Sequence, residues 1–309
     1  MSIAFVFPGQ GSQSVGMLGS FAEQSTVINT FKEASEALEF DLWELCQQGP
    51  GDKLNQTENT QPALLTASVA LWRLWSESSG SKPEMLAGHS LGEYSALVCS
   101  GVLSLADAVK LVRARGLYMQ QAVPAGTGKM AAIIGLDDEL IAEACSASEQ
   151  GEVVSPVNYN SPGQVVIAGN ASAVERAMVA CKDKGAKRAL PLSVSVPSHC
   201  ALMKPAADQL AEHLESLSFE SPTIPVINNV DVAIENDPAM IKQALVKQLY
   251  SPVRWTETVQ WMAKQSATDI IECGAGNVLS GLNKRIDKSL TSHITHELEK
   301  FEAAIAALK

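Results

Sequence analysis

Two rhythms in the chain predict an α/β protein made of one parallel-sheet unit interrupted by a smaller unit. The first is a succession of short apolar runs bounded by glycine that alternate with amphipathic stretches toward both ends of the chain, the pattern of a parallel sheet and its covering helices. The second lies between 124 and 196, where the order strand, helix, strand, strand, helix, strand is that of a ferredoxin-like unit. With 309 residues, 46% of them hydrophobic, the chain can bury both cores.

IAFVF (3–7) reads as the first strand and runs into FPGQGSQ (7–13). A helical stretch follows at 62–76, then MLAGHS (85–90) as a strand, with helices at 93–100 and 104–121. Past VPAGTG, KMAAIIGL reads as strand, DDELIAEACSA as helix, EVVSPVNY and QVVIAGN as strands, ASAVERAMVACKDKG as helix and KRALPLSVSV as strand. The Pro/Gly turn VPAGTG and the turn VPS punctuate this block. The expected domains are therefore 124–196, inserted, and 1–123 with 197–309, a single α/β unit with a cleft against the insert. The parallel rhythm resumes with a helix at 201–217, strand PVIN (225–228), helices at 238–249 and 253–264, strand DIIEC (269–273) and a helix at 276–287. Ligand sites favour such domain interfaces.

A net charge of −11 argues against a nucleic-acid-binding surface, which needs a concentrated basic field. Six cysteines lie far apart, with no C-x-x-C pair and no zinc-ligand spacing, as expected of reduced thiols and no metal site. The N-terminal apolar run is too short for a secretory signal, and no uncharged stretch approaches the roughly 18 residues of a membrane span. A cytoplasmic protein is expected.

GHSLG (88–92) sits after an expected strand and before an expected helix. That is the nucleophile-elbow pattern G-x-S-x-G, in which a tight turn lifts the serine hydroxyl, here that of Ser90, into the open. A serine that only caps a helix would fit the same pentapeptide. A nucleophilic serine needs a base. Of the five histidines, His89 adjoins Ser90 and is expected to point away, His213 lies among charged residues and reads as a solvated helix position, and His293 and His296 occupy a polar stretch. His199, in a Pro-Ser turn at the junction of the two units, is the remaining candidate. No acid stands out as its orienting partner.

Gln248 shares a helical stripe with Ile241, Ala244 and Leu245, so it faces inward, either to a functional partner or to backbone. Arg115 likewise falls among Ala108, Leu111, Val112 and Met119. A buried guanidinium keeps its proton and calls for a carboxylate, structural or from substrate. FPGQGSQ lacks the third glycine of a dinucleotide loop and the Gly-Lys of a P-loop. The amides of Gln10 and of Leu91, just after the serine, are candidates for an oxyanion hole, with a simple glycine turn as the alternative for the loop.

Together these residues resemble the malonyl-CoA:acyl carrier protein transacylase family. The likeness covers FPGQGSQ, TQPALLTASVAL (60–71), GHSLGEYSALV (88–98), Arg115, SPVNYNSPGQVVIAG (155–169), VPSHCALMKPA (196–206), INNVD (227–231) and QLYSPVRW (248–255). The resemblance implies an α/β-hydrolase-like large domain, Ser90 as nucleophile, His199 as base, Gln248 as acceptor to that histidine, and Arg115 as ligand of the malonyl carboxylate. It implies malonyl-CoA as donor, acyl carrier protein as acceptor and no metal or redox cofactor. Gly274-Ala275-Gly276 stands where similar proteins usually have Gly-Pro-Gly, in a turn expected to be remote from the chemistry. A serine hydrolase with water as acceptor is a rival that leaves Arg115 without a purpose. A catalytically silent binding module is another, set against the trio Ser90, His199 and Gln248. An acidic enzyme that meets an anionic donor and an acidic carrier needs local positive charge, which CKDKGAKRAL offers at Lys187 and Arg188; a solvated turn is the alternative.

Overall fold

The computed structural model describes residues 2–78, 81–124, 126–194 and 196–308. The elements are β1 (Ile3–Phe7), α1 (Ser25–Leu38), α2 (Leu42–Gln48), α3 (Gly51–Leu54), α4 (Thr57–Ser78), β2 (Met85–Gly88), α5 (Leu91–Cys99) and α6 (Leu105–Ala122). The chain continues through β3 (Gly128–Ile134), α7 (Asp138–Ser148), β4 (Val154–Ser161), β5 (Gln164–Asn170), α8 (Ala171–Asp183) and β6 (Arg188–Pro191). It closes with α9 (Lys204–Glu215), β7 (Val226–Ile227), α10 (Pro238–Gln248), α11 (Trp255–Lys264), β8 (Asp269–Glu272), α12 (Val278–Ile286), β9 (Thr291–Ile294) and α13 (Leu298–Ala307).

Five strands form a parallel sheet in the order β7-β2-β1-β8-β9. IAFVF is apolar at every position because both faces of β1 are covered. Ile3, Phe5 and Phe7 join the core under α1, α4, α5 and α6, while Ala4 and Val6 join the opposite core with Val259, Met262, Leu279 and Leu282. Helix starts follow local capping: Asp41, Ser104 and Asp237 accept from the backbone N–H of Glu44, Asp107 and Ala239.

The second sheet is antiparallel, in the order β4-β5-β3-β6. Alternation in β3 sends Ala131 and Ile133 into a core with Ile141, Ala144, Val174 and Ala177, and Met130 to the other face, where it packs with Val157, Val166 and Cys200. That second face meets the parallel-sheet unit, and Val253 exchanges backbone bonds with β4 through Val157 and Tyr159.

The expected strand KRALPLSVSV pairs only over Arg188–Pro191; beyond it the chain leaves the sheet toward the cleft, and Ser195 lies outside the described residues, as does Ala125 of VPAGTG. The expected helix at 201–217 begins as a 3₁₀ turn at Ala201–Met203 because Pro205 lacks the N–H that would extend an α-helix backward. His293 and His296 lie in the polar stretch near the C-terminus. This stretch forms β9, where His293 Nε2 lies 2.8 Å from Asp269 Oδ1, and then α13. His213 is half-buried, its Nδ1 3.2 Å from the Tyr118 hydroxyl, rather than a solvated surface position. The Gly274-Ala275-Gly276 turn is not remote from the candidate site. A Cβ on Gly274 would lie 2.7 Å from Pro8 Cδ, so this turn backs directly onto the loop that carries Gln10.

Candidate active site

Ser90 stands between the C-terminal end of β2 and the start of α5, with φ 52° and ψ −108°, a backbone state rare for a non-glycine residue. The turn is possible because its flanking glycines let backbones touch. A Cβ on Gly88 would sit 1.8 Å from Gly92 C, and one on Gly92 would sit 2.0 Å from Phe7 O. Asn229, in the INNVD segment, clamps the turn. Its Oδ1 accepts from the Ser90 N–H at 2.7 Å and its Nδ2 donates to Gly88 O at 2.6 Å.

His199 Nε2 lies 2.7 Å from Ser90 Oγ, and the two residues are 109 positions apart in sequence. Its Nδ1 meets the backbone carbonyl of Gln248 at 2.7 Å. A carbonyl can only accept, so Nδ1 carries the proton and Nε2 offers its lone pair to the serine hydroxyl. Burial, with the Arg115 charge second, pulls the imidazole down to about 3, which leaves it neutral and basic.

Gln248 is therefore the acceptor for His199, but through its main chain and not through its amide. The side chain turns elsewhere because α10 ends at this residue, freeing the carbonyl for the histidine while the amide points into the core. Its Oε1 accepts from Arg115 Nη2 at 3.1 Å, and its Nε2 donates to Ser90 O at 3.1 Å and to Glu93 Oε2 at 2.8 Å.

Arg115 lies on the buried face of α6, as its stripe requires, with 2% of its surface exposed. Besides Gln248 it donates from Nη1 to Gln61 Oε1 at 2.8 Å, and the Tyr94 ring lies 5.4 Å from its central carbon. Among the described residues no carboxylate pairs with it, Nη2 reaches Ser90 Oγ only at 3.5 Å, and its Nε–H makes no hydrogen bond. A buried guanidinium held only by neutral groups, beside a nucleophile, is poised for an anion.

Gln10 and Leu91 line the same cavity of about 110 Å³ as Ser90, Arg115 and His199, closed on the other side by Met130, Asn158, Leu192 and Val194. His89 also lines it. Its ring pairs with Asn160 Oδ1 of β4 at 2.8 Å rather than with Ser90, in keeping with the expectation that it points away from the serine. A larger groove of about 850 Å³ between α9 and α10 includes Phe219, Lys242 and Tyr250. It contains no nucleophile and base in contact, so the chemistry belongs to the smaller cavity.

Lys187 and Arg188 lie outside that cavity, exposed where β6 begins, the Lys187 stem against Gly135. Their neighbours Lys182 and Lys184 are engaged, by the carbonyls of Ala186 and Lys187 and by Glu143. The sequence reading missed three polar residues of the site: Gln61, Asn229 and Glu93. Glu93 is the only charged residue within the otherwise apolar LGEYSALVC, which is the signal that could have singled it out. Burial pushes its carboxyl up to about 7, against the hydrogen bonds from Gln248 and Asn229 and the Arg115 charge.

The chain is similar to known proteins over nearly its whole length. The acyl transferase domain family matches residues 4–289. Malonyl CoA-acyl carrier protein transacylase of Salmonella typhimurium is 62% identical over 303 residues, 98% of either chain, and that of Bacillus subtilis is 47% identical over 309 residues, 99% of this chain and 97% of its own. Among solved structures, an acyl carrier protein S-malonyltransferase from Vibrio cholerae superposes with a TM-score of 0.96 at 63% identity, over 98% of this chain and all of the other. A malonyl-transacylase in complex with a type II PKS acyl-carrier protein superposes with a TM-score of 0.98 at 57% identity, over 99% of this chain and all of that one.

Proposed function

The chain belongs to the malonyl CoA-acyl carrier protein transacylase family, within the acyl transferase domain, and on that premise we propose how its own residues carry the reaction. It is an acyltransferase that moves the malonyl group from malonyl-CoA to the phosphopantetheine thiol of acyl carrier protein, supplying malonyl-ACP for fatty acid synthesis. His199 Nε2 takes the Ser90 proton as Oγ attacks the thioester carbonyl. The amides of Gln10 and Leu91 receive the oxyanion. Collapse of the tetrahedral intermediate breaks the C–S bond, CoA leaves with the proton from His199, and a malonyl-Ser90 ester remains. The carrier thiol then gives its proton to His199 and attacks the ester; the C–O bond to Ser90 breaks, His199 returns the proton to Oγ, and the malonyl thioester of the carrier leaves. Each step is a proton or acyl transfer among serine, imidazole and thiol, so we assign no cofactor.

The observation that carries this reading is Arg115. Its guanidinium lies within 3.5 Å of Ser90 Oγ with spare donors, in reach of a carboxylate two carbons beyond the reacting carbonyl. A hydrolase of neutral esters has no use for that charge. Intact mass spectrometry after mixing with malonyl-CoA tests the scheme: one malonyl mass on the wild type and none on Ser90→Ala. Acylation of the alanine variant at another residue would falsify the assignment.

We read the large unit, 1–123 with 197–309, as α/β-hydrolase-like, a reading supported by a strand–Ser90–helix elbow at the end of a parallel strand. We read 124–196 as ferredoxin-like, supported by the strand order β4-β5-β3-β6 and by α7 and α8 sharing one core. Lys187 and Arg188 are our candidates for docking the carrier or the CoA phosphates, supported by their exposure and freedom from salt bridges among the described residues. No helix among the described residues is long and apolar enough to cross a membrane. We place the protein in the cytoplasm, a reading supported by six buried, unpaired cysteines.

A further inference from the structure

The reaction scheme leaves a buried acid beneath the nucleophile, Glu93, without a part. We propose that Glu93 is a positioning residue for acyl selection, whose carboxylate oxygen Oε2 orients the Gln248 amide and through it the Arg115 guanidinium; the inference rests on the reading of Arg115 as the malonyl carboxylate ligand.

Glu93 is three residues past the nucleophile, in the first turn of α5, so the helix carries it under the elbow and away from solvent, where 2% of it is exposed. The same oxygen accepts two bonds, from the Asn229 N–H at 3.0 Å and from Gln248 Nε2 at 2.8 Å. A primary amide has a donor end and an acceptor end, and a buried site tolerates only the orientation that satisfies both. Glu93 Oε2 and Ser90 O, 3.1 Å away, are acceptors and hold the NH₂ end of Gln248. Oε1 is thereby forced toward Arg115 Nη2 at 3.1 Å. With the amide flipped, its NH₂ would face the guanidinium donors and repel them.

The second anchor of Arg115 is oriented less firmly. Gln61 presents Oε1 to Nη1 at 2.8 Å, but among the described residues its own NH₂ end has only the Met119 sulfur at 3.7 Å as partner. The geometry of Arg115 therefore depends on Gln248, and the polarity of Gln248 depends on Glu93. The other bond from Glu93 leads to Asn229, which clamps the Ser90 backbone. Losing Glu93 has two separable effects. A looser elbow slows every acyl donor alike, whereas a misdirected guanidinium penalises only the donor with a carboxylate.

The discriminating readout is the ratio of kcat/KM for malonyl-CoA to that for acetyl-CoA. Glu93→Ala is expected to lower both rates and to lower the ratio about tenfold, the scale of one hydrogen bond to a charged group. Glu93→Gln is expected to restore the ratio to within about twofold, because its carbonyl oxygen can accept the same two N–H groups. Gln248→Ala, which removes the middle of the chain of bonds, should reproduce the lowered ratio even if Glu93→Ala does not fold. In an Arg115→Met background, Glu93→Ala should change the ratio no further. An unchanged ratio in folded Glu93→Ala or in Gln248→Ala, or a Glu93→Gln enzyme as impaired in ratio as the alanine variant, overturns the proposal. If Arg115→Met itself leaves the ratio at the wild-type value, the reading of Arg115 fails instead, and the two failures are distinct.

Discussion

Replacing Arg115 by methionine is the perturbation that most directly probes acyl selection. Methionine keeps much of the volume and removes the charge, so water gains little room to replace the guanidinium in a cavity of about 110 Å³ whose apolar lining includes Met119, Met130, Val194 and Val196. In the wild type, Nη1 is committed to Gln61 and Nη2 to Gln248, while among the described residues Nε–H is unpaired and the 3.5 Å contact of Nη2 with Ser90 Oγ is too long to be strong. The donors free for substrate therefore suffice for at least one charge-assisted bond to the malonyl carboxylate, worth about 1.5–3 kcal/mol. At about 1.4 kcal/mol per tenfold, malonylation of Ser90 should slow by roughly 10- to 150-fold. Acetylation should hold or rise, since an acetyl group has nothing to pair with the guanidinium and leaves it buried and charged. The assay is rapid-quench acylation with each CoA ester, read as acyl-enzyme mass. Equal losses for the two donors, or malonylation within threefold of wild type, would refute the reasoning.

Because His199 is oriented by the Gln248 backbone carbonyl, Gln248→Ala should label with a neutral fluorophosphonate at close to the wild-type rate while malonylation falls; loss of labelling would mean that the side chain supports the base. His199 has a folded pKa depressed from 6.5 to about 3, so the imidazole protonates in the unfolded chain well before it does in the native one, and its contribution to stability is lost as pH falls from about 6.5 toward 3. Accordingly, fluorophosphonate labelling of Glu93→Gln, which lacks the other acid titrating in the site, should show no acid limb near 6.5; such a limb would contradict a neutral buried base. Charge reversal at Lys187 and Arg188 should raise KM for the carrier or the CoA donor at low salt and leave labelling of Ser90 intact, whereas unchanged KM for both substrates would exclude this patch.

What the sequence determined by itself is what local pattern encodes. IAFVF is apolar at all five positions because a parallel strand is covered on both faces, and the glycines of GHSLG announce a turn that no side chain could share. The helical stripe through Ala108, Leu111, Val112 and Met119 put Arg115 inside before any contact was known. Motifs of this kind are short because the forces behind them act between near neighbours in the chain. The identity of each partner is a different matter. That His199 takes its acceptor from a main-chain carbonyl could not be read from residue types, since every residue has one and only the end of α10 leaves this one free. The strand expected through 196 stops at Pro191 because the chain is needed at the cleft wall, where Leu192 and Val194 line the cavity. Gly274-Ala275-Gly276 lies behind the Gln10 loop although more than 260 residues separate them, and Glu93 joins Asn229 to Gln248 across three separate segments. Such contacts are decided by how the sheets and helices pack, because hydrogen bonds between distant segments leave no periodicity in the sequence; only the tertiary structure could turn a list of inward-facing polar residues into a connected site.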